Sequence, residues 1–408
     1  MAGFFSRLFG KKQDPVSDRD DFALRLVEAV RQQAPEIDLH YDAGNFELQH
    51  VDPDANGQRM FLANSFIEYS RLTGGEQQEH FGKVVQFIIA SRKPAPSGEE
   101  ALNSLLPVLR SRADIMAVAC DRNGFHYSQS SRPFCETMLL MLAIDSDISI
   151  GLVTDDMLEQ LGISFDEALG VAIGHLDERG NHTWGQLAEG TFVSNCGDYY
   201  DASRILLPGL VGQLPVKGNP VAIVQARSAV LLTGSEDREG LEMIAGYALQ
   251  DFPENERAVS LTPIEFHDGQ WRALELRADH PQSLKNLRAQ QTAWAYEATQ
   301  QVLQERLGDD IFVATAQLFE NEGRFATLAT WTDGVDTLCP LADGVWIQNQ
   351  DGSDGMLRSM EDVVDVCGPF EPAKEMDYPL RWRLPTSISA EQRTRLRNDY
   401  PDLKLFGD

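Results

Sequence analysis

Residues 229–244 read AVLLTGSEDREGLEMI. A short apolar run at 229–233 predicts a strand, the acidic stretch after it a turn, and the residues from 238 to 249 a helix. The same order returns in GVWIQNQDGSDGMLRSM at 344–360, where the helix MLRSMEDVVDVCG (356–368) is closed by Gly368 and Pro369. Upstream of each lies a related segment, TFVSNCGDYYDASRILLP (191–208) and RFATLATWTDGVDTLCP (324–340). Asp201, Leu206 and Pro208 align with Asp333, Leu338 and Pro340; Val230 and Leu241 align with Val345 and Leu357. This pattern predicts an internal repeat in which 166–250 superposes on 284–368. The first copy would carry an insertion, GLVGQLPVKGNPVAIVQ (209–225). The fold class expected is α+β, with mixed or antiparallel sheets and helices packed on them.

The remaining chain divides around these units. Residues 1–17 form a tail. Residues 18–93 read as helix, hairpin, helix. Ser17 or Asp18 would cap a helix with apolar positions Phe22, Leu26, Val27 and Val30, which Pro35 ends. LHYDAGNFELQHV (39–51) alternates, with Phe46, Leu48 and His50 on one side, and DPDANG (52–57) reads as a turn. Phe66, Tyr69, Phe81, Val84, Val85 and Ile88 fall at helical spacing. Region 105–277 begins near LNSLLPVLRS (102–111). IMAVAC (115–120) and GFHYSQS (124–130) look strand-like, and PFCETMLLMLAID (133–145) suits a buried helix or strand. Thr154 should cap a short helix that Gly162 ends. Ser164 should cap the next, with Glu167 in the capping-box position and Leu169, Ala172, Ile173 and Leu176 on its buried face. In region 284–408 a long helix runs from about Leu284 to Leu307, and two strands meet at the turn ENEG (320–323).

Several of these stretches resemble the YtpQ-like family, bacterial proteins of unknown function: LLPVLRS (105–111), PFCETMLLMLAID (133–145), GLVTDDMLEQLGISFDEALGVAIGHL (151–176), FLANSFIEYSR (61–71) and YYDASRILLP (199–208). The resemblance covers roughly 18–277 and departs from the family pattern at His175, where Asn is usual. It implies an α/β region over 105–277 and brings no catalytic residue with it. Residues 284–408 lie beyond it.

Composition bounds the function. Hydrophobic residues make up 42% and charged residues 24%, ordinary for a chain that buries a core. Against 35 Lys and Arg stand 63 Asp and Glu, a net charge of -28. Such a surface repels phosphate backbones, so no nucleic-acid partner is expected. Five cysteines at 120, 135, 196, 339 and 367 suit reduced thiols in a cytoplasm better than a disulfide framework. No apolar run approaches the ~20 residues that span a bilayer, and the start lacks the apolar core and cleavage site of a secretory signal.

No cofactor or metal is expected. Glycines do not form a phosphate-binding loop, serines give no GxSxG elbow, and the histidines show no paired metal-ligand spacing. His175 and His182 near Asp177, Glu178 and Cys196 are the one local collection of ligand types, against a plain reading of a packed helix end and a loop. Cys196 sits in acidic surroundings, which disfavour a reactive thiolate. Two segments carry binding potential. YYDASR (199–204) gathers Tyr199, Tyr200, Asp201 and Arg204; Arg204 would clamp an anionic group, or the segment is a helix start with Asp201 capping and Arg204 on the surface. In the tail MAGFFSRLFGKK, a helix would place Phe4, Phe5, Leu8 and Phe9 on one side, with Arg7, Lys11 and Lys12 elsewhere. That face would make weak, reversible contact with the inner face of a membrane or with a partner's groove; the alternative is a free terminus. The expected function is a cytosolic, non-enzymatic binding or adaptor protein with an unknown protein partner. The alternative is an enzyme, a hydrolase with a cleft between 105–277 and 284–408.

Overall fold

The computed structural model describes residues 16–44, 46–51, 59–91, 98–123, 130–145, 150–252 and 257–406. The chain forms two compact units, one of residues 1–101 with 144–151, the other of residues 102–143 with 152–408. The fold is α+β, with several antiparallel and some mixed sheets among packed helices. Among the described residues no helix is long and apolar enough to cross a membrane.

In the first unit, helix Val16–Gln33 buries Phe22, Leu26 and Val30 against Val84, Val85 and Ile88 of helix Gly74–Ala90. Ser17 and Asp18 lie inside the first helix rather than at its cap, because the helix is already formed at Val16. The expected hairpin gains a third strand. Leu39–Asp42 pairs with Glu47–His50, which pairs with Arg59–Phe61, all antiparallel. Phe46, Leu48 and His50 are buried as the alternation predicts. The turn at 52–57 lies outside the described residues.

The second unit contains 284–408 and all of 105–277 except 144–151. One sheet is six-stranded and antiparallel, in the order Gln270–Ala273, Ile264–His267, Pro220–Ala226, Ala229–Gly234, Thr191–Ser194, Trp184–Ala188. Its central strands are apolar on both faces because both faces are covered. Ala222, Val224, Val230 and Leu232 pack with Leu109, Met138 and Ile205. Val221, Ile223 and Leu231 pack with Leu241, Ile244 and Ala248 of helix Arg238–Asp251, and with Leu284 and Leu287. Gly240 permits that close approach: a Cβ there would stand 2.2 Å from the Thr233 hydroxyl. Strands Leu105–Ser111, Met138–Asp145 and Ser131–Phe134 lie side by side in another sheet, so PFCETMLLMLAID is strand, with the bend at Cys135 (φ 54°). The caps at Thr154, Gly162 and Ser164 stand as read, including the Ser164–Glu167 capping box. Ala168 rather than Leu169 is the buried residue at that turn of the helix.

IMAVAC is helical, not a strand. It lies in helix Arg112–Asn123, whose first turn is capped by the Ser111 hydroxyl accepting from the Asp114 N–H at 3.2 Å. Ala113 and Cys120 then meet Ala295 and Leu303 of the long helix Gln282–Leu307, so packing overrides the β-branched character of the segment. GFHYSQS falls outside the described residues except for its last serine.

The long helix is buried along most of its length and is not amphipathic in the usual sense. Alanines 289, 293 and 295 let neighbours approach closely. Its buried polar side chains satisfy the backbone of the loops and strand ends around it. Asn286 donates to the Gly323 carbonyl at 2.7 Å and accepts from the Phe325 N–H at 3.0 Å. Gln291 accepts from the Leu261 N–H at 2.6 Å. Tyr296 donates to the Leu380 carbonyl at 2.5 Å and accepts from the Leu341 N–H at 2.9 Å. Gln304 accepts from the Val313 N–H at 2.8 Å.

The strand at 344–348 sits differently from the strand at 229–234, and the repeat alignment does not hold. Ala229–Gly234 lies between two antiparallel neighbours. Gly344–Gln348 lies between Arg324–Thr332, which is parallel, and Met356–Arg358, which is antiparallel. Leu241 is helical while Leu357 is in a strand. Cap position decides the difference. Asp237 starts its helix three residues after the strand ends, by accepting from the Gly240 N–H. In the second segment the cap is Ser359, with Asp362 completing the capping box, so 356–358 stays extended and the helix is only Met360–Cys367. Arg358 favours that arrangement, being buried where it donates to the Leu396 carbonyl at 2.6 Å and to Asp402 at 2.6 Å.

Tyr296→Phe should keep the shape of the core and remove both contacts of the phenol. The Leu341 N–H and Leu380 carbonyl would lose a buried partner, costing about 1–3 kcal/mol. Urea unfolding should show the loss as a lower midpoint with an unchanged slope.

Candidate functional site

The segment 195–204 leaves the six-stranded sheet after Thr191–Ser194 and enters a 3-10 helix, Ala202–Leu206. Asp198 organises it. One carboxylate oxygen accepts from the Tyr200 N–H at 3.0 Å and from the Arg204 guanidinium at 2.8 Å; the other accepts a second Arg204 N–H at 2.8 Å. This bidentate pair is the strong, directional form of the Arg–carboxylate contact. Arg204 is fully buried and also donates to His182 Nδ1 at 3.2 Å and to the Gly180 carbonyl at 3.3 Å. Desolvation works against the charged form of Asp198. The Arg204 hydrogen bonds, the Tyr200 N–H and the charges of Arg204 and Arg179 outweigh it and hold the carboxyl below its ordinary value.

Arg204 is therefore neither on the surface nor open to an outside anion: its fork is filled by Asp198. Tyr200 and Asp201 are buried too. The Asp201 side chain does not cap the 3-10 helix; it accepts from the Cys196 N–H at 2.9 Å, behind the turn. Of the four residues in the candidate set, Tyr199 alone is exposed, at 53%. The two tyrosines point apart, each covered by an arginine. The Arg179 guanidinium lies 4.8 Å from the centre of the Tyr200 ring, and that of Arg257 lies 4.9 Å from the centre of the Tyr199 ring.

Tyr199 has φ 62°. Left-handed backbone is rare for a bulky residue and costs about 1–2 kcal/mol. It persists because Asp198 fixes the backbone on both sides of it. An exposed aromatic held in a strained conformation by a bidentate ion pair is not explained by packing of the core.

The histidine and cysteine group is not assembled for chemistry. His175 Nδ1 lies 2.9 Å from the Leu105 carbonyl, and among the described residues no hydrogen bond or ion pair joins it to Cys196, Asp201 or Arg204. His182 pairs with Arg204 and the Asp177 carbonyl. Cys196 is buried; desolvation leads, Asp201 adds to it and Arg204 opposes it, and the thiol is pushed up to about 11. Among the described residues no three His, Cys, Asp or Glu side chains are placed to hold a metal. Phe4, Phe5, Leu8 and Phe9 lie outside the described residues.

Arg257, which no sequence pattern singled out, lies over the Tyr199 ring, and the turn at Arg227 is tied to it. Arg227 is in the turn between strands Pro220–Ala226 and Ala229–Gly234. Its carbonyl accepts from the Ala202 N–H at 3.1 Å, and its own N–H donates to the Arg257 carbonyl at 3.1 Å. No family model, curated protein or solved structure matches the chain.

Asp198→Asn should destabilise the protein by ~1–3 kcal/mol at pH 7, because Arg204 is buried and would lose its charged partner while the carboxylate is itself partly exposed. Because the folded carboxyl titrates below its unfolded value, its contribution is present above pH ~4 and is lost as pH falls through the folded value. The gap between wild type and variant in urea unfolding should therefore narrow below pH 4. In native protein at pH 8, Cys196 should react with a thiol reagent far more slowly than in urea, as read by mass spectrometry of the labelled peptide.

Proposed function

We propose that this chain is a non-enzymatic binding or adaptor protein that presents Tyr199 to a partner. The observation that carries the reading is the strained backbone of Tyr199 beneath an exposed ring, held by the bidentate pair of half-buried Asp198 with buried Arg204. Glycine would fit that backbone without strain, so a tyrosine there points to use of its ring. Aromatic side chains bring large contact area at low entropic cost, which suits recognition. The buried thiol and filled arginine fork support binding over catalysis at this segment.

The same reading places the protein in the cytoplasm, on its five cysteines and acidic surface. It keeps the YtpQ-like resemblance of 18–277 and assigns the tail residues Phe4, Phe5, Leu8 and Phe9 to weak contact with the inner membrane face. Basic residues in the tail would favour anionic lipid while the -28 charge of the whole chain opposes approach.

Tyr199→Gly should raise thermal stability or leave it unchanged, since relief of backbone strain offsets the lost contact with Arg257. A photo-crosslinking amino acid placed at position 199 should give a discrete adduct in cells, and one at exposed Tyr247 should not. Identical adduct patterns at the two positions would remove the Tyr199 assignment. For the tail, full chain and a version lacking residues 1–12 should differ in sedimentation with vesicles of anionic lipid at low salt, and the difference should shrink at moderate salt. Equal pelleting would remove the membrane contact.

A further inference from the structure

A cleft of about 340 Å³ lies between the start of strand Ser131–Phe134 and the two helices Asp155–Leu161 and Phe165–Glu178. Its size falls at the lower end of the ~300–1,000 Å³ that small-molecule sites span. Leu158, Ile163 and Phe165 give it an apolar floor, and Leu158 and Phe165 are buried. The cleft shares no residue with the segment around Tyr199, so what it binds is a separate question from the Tyr199 surface.

Charge is distributed unevenly around that floor. Asp155 and Glu159 both line the cleft and stand one turn apart on their helix, a spacing that puts their Cβ atoms about 5–6 Å apart. The buried Ser130 hydroxyl donates to one Asp155 oxygen at 2.7 Å, which fixes that carboxylate and leaves its second oxygen without a hydrogen bond among the described residues. The Glu159 carboxylate makes no hydrogen bond and no ion pair among the described residues. Like charges at this spacing repel each other, and no Lys, Arg or His nitrogen of a described residue lies within 4.0 Å of either. Arg132 also lines the cleft, but its guanidinium lies 4.6 Å from the centre of the Phe165 ring and 3.9 Å from Asp166. Its charge is directed there and not to Asp155 or Glu159.

We propose that this cleft binds a primary alkylammonium, whose N–H groups donate to Asp155 and Glu159 while its carbon chain covers Leu158, Ile163 and Phe165. An ammonium has three donors and no acceptor, which matches two carboxylates with lone pairs open. An anion would meet two carboxylates, and a hydrated metal ion would make no use of the apolar floor. The -28 charge of the chain draws cations of every kind toward its surface. The floor is what selects one that carries a carbon chain. Free amines and the lysine side chains of other proteins both present this group.

Isothermal titration of the full chain with pentylamine, and separately with the tripeptide acetyl-Ala-Lys-Ala-amide, at constant ionic strength, tests the proposal. At least one should bind at a single site, and more tightly than methylamine, because its chain covers the floor. Tighter binding of pentylamine identifies the ligand as a free amine, and tighter binding of the peptide identifies it as a lysine side chain. Glu159→Gln should weaken the binding about tenfold or more, the scale of a lost charge-assisted hydrogen bond. Because the Glu159 carboxylate has no partner to lose, the variant should melt at the temperature of the wild type. Glu242→Gln, at an exposed acid on helix Arg238–Asp251, should leave the affinity unchanged. Failure of both pentylamine and the peptide to bind, methylamine binding as tightly as either, or equal losses in Glu159→Gln and Glu242→Gln would overturn the proposal.

Discussion

Helix Gln282–Leu307 is the constraint on which the second unit depends. A helix buried on most sides must satisfy two demands at once: close packing against several neighbours, and partners for every polar atom they bring. Its alanines meet the first. Asn286, Gln291, Tyr296 and Gln304 meet the second, each spent on a backbone group at a strand end or loop, and Thr299 bonds back to its own helix. Arg381 follows the same logic. It is buried, donates to the Tyr296 carbonyl at 3.3 Å and to the Thr299 hydroxyl at 2.9 Å, and lies over the Tyr296 ring. The six-stranded sheet, helix Arg112–Asn123 and the strands from 312 to 348 are thereby referred to one rod.

A second, smaller constraint sets the surface. In the Asp198–Arg204 pair the guanidinium is buried and the carboxylate half-buried, and its geometric effect is local. It fixes the chain direction through 198–204, turns Tyr200 inward beneath Arg179 and leaves Tyr199 outward beneath Arg257. The charged groups that looked available for a ligand are thus the scaffold, and the residue they position is the one that meets solvent.

Local signals in the sequence carried much of the fold. Thr154, Gly162, Ser164 and Glu167 were legible because capping is a contact within four residues. The turn at Glu322–Gly323 was legible because two positive φ angles demand it. The helix at 112–123 was not, since its helicity depends on Ala295 and Leu303 far along the chain. The repeat misled because matched apolar positions do not record strand direction, and a cap shifted past Leu357 turns a helix start into a strand. In the cluster YYDASR, burial reversed the roles expected of its members: Arg204 is internal and Tyr199 external. Arg227 and Arg257 are joined only through tertiary structure, and nothing near them in the sequence marks them.

The two regions 105–277 and 284–408 should then unfold together, since the long helix is packed into both. Native-state hydrogen exchange under increasing denaturant measures this directly. Amides of 285–305 should exchange only through global unfolding, and the strands at 220–234 and 324–332 should lose protection at that same free energy. Exchange of 324–358 at a markedly lower free energy, while 220–234 stays protected, would show two independent domains and contradict the role given to the helix.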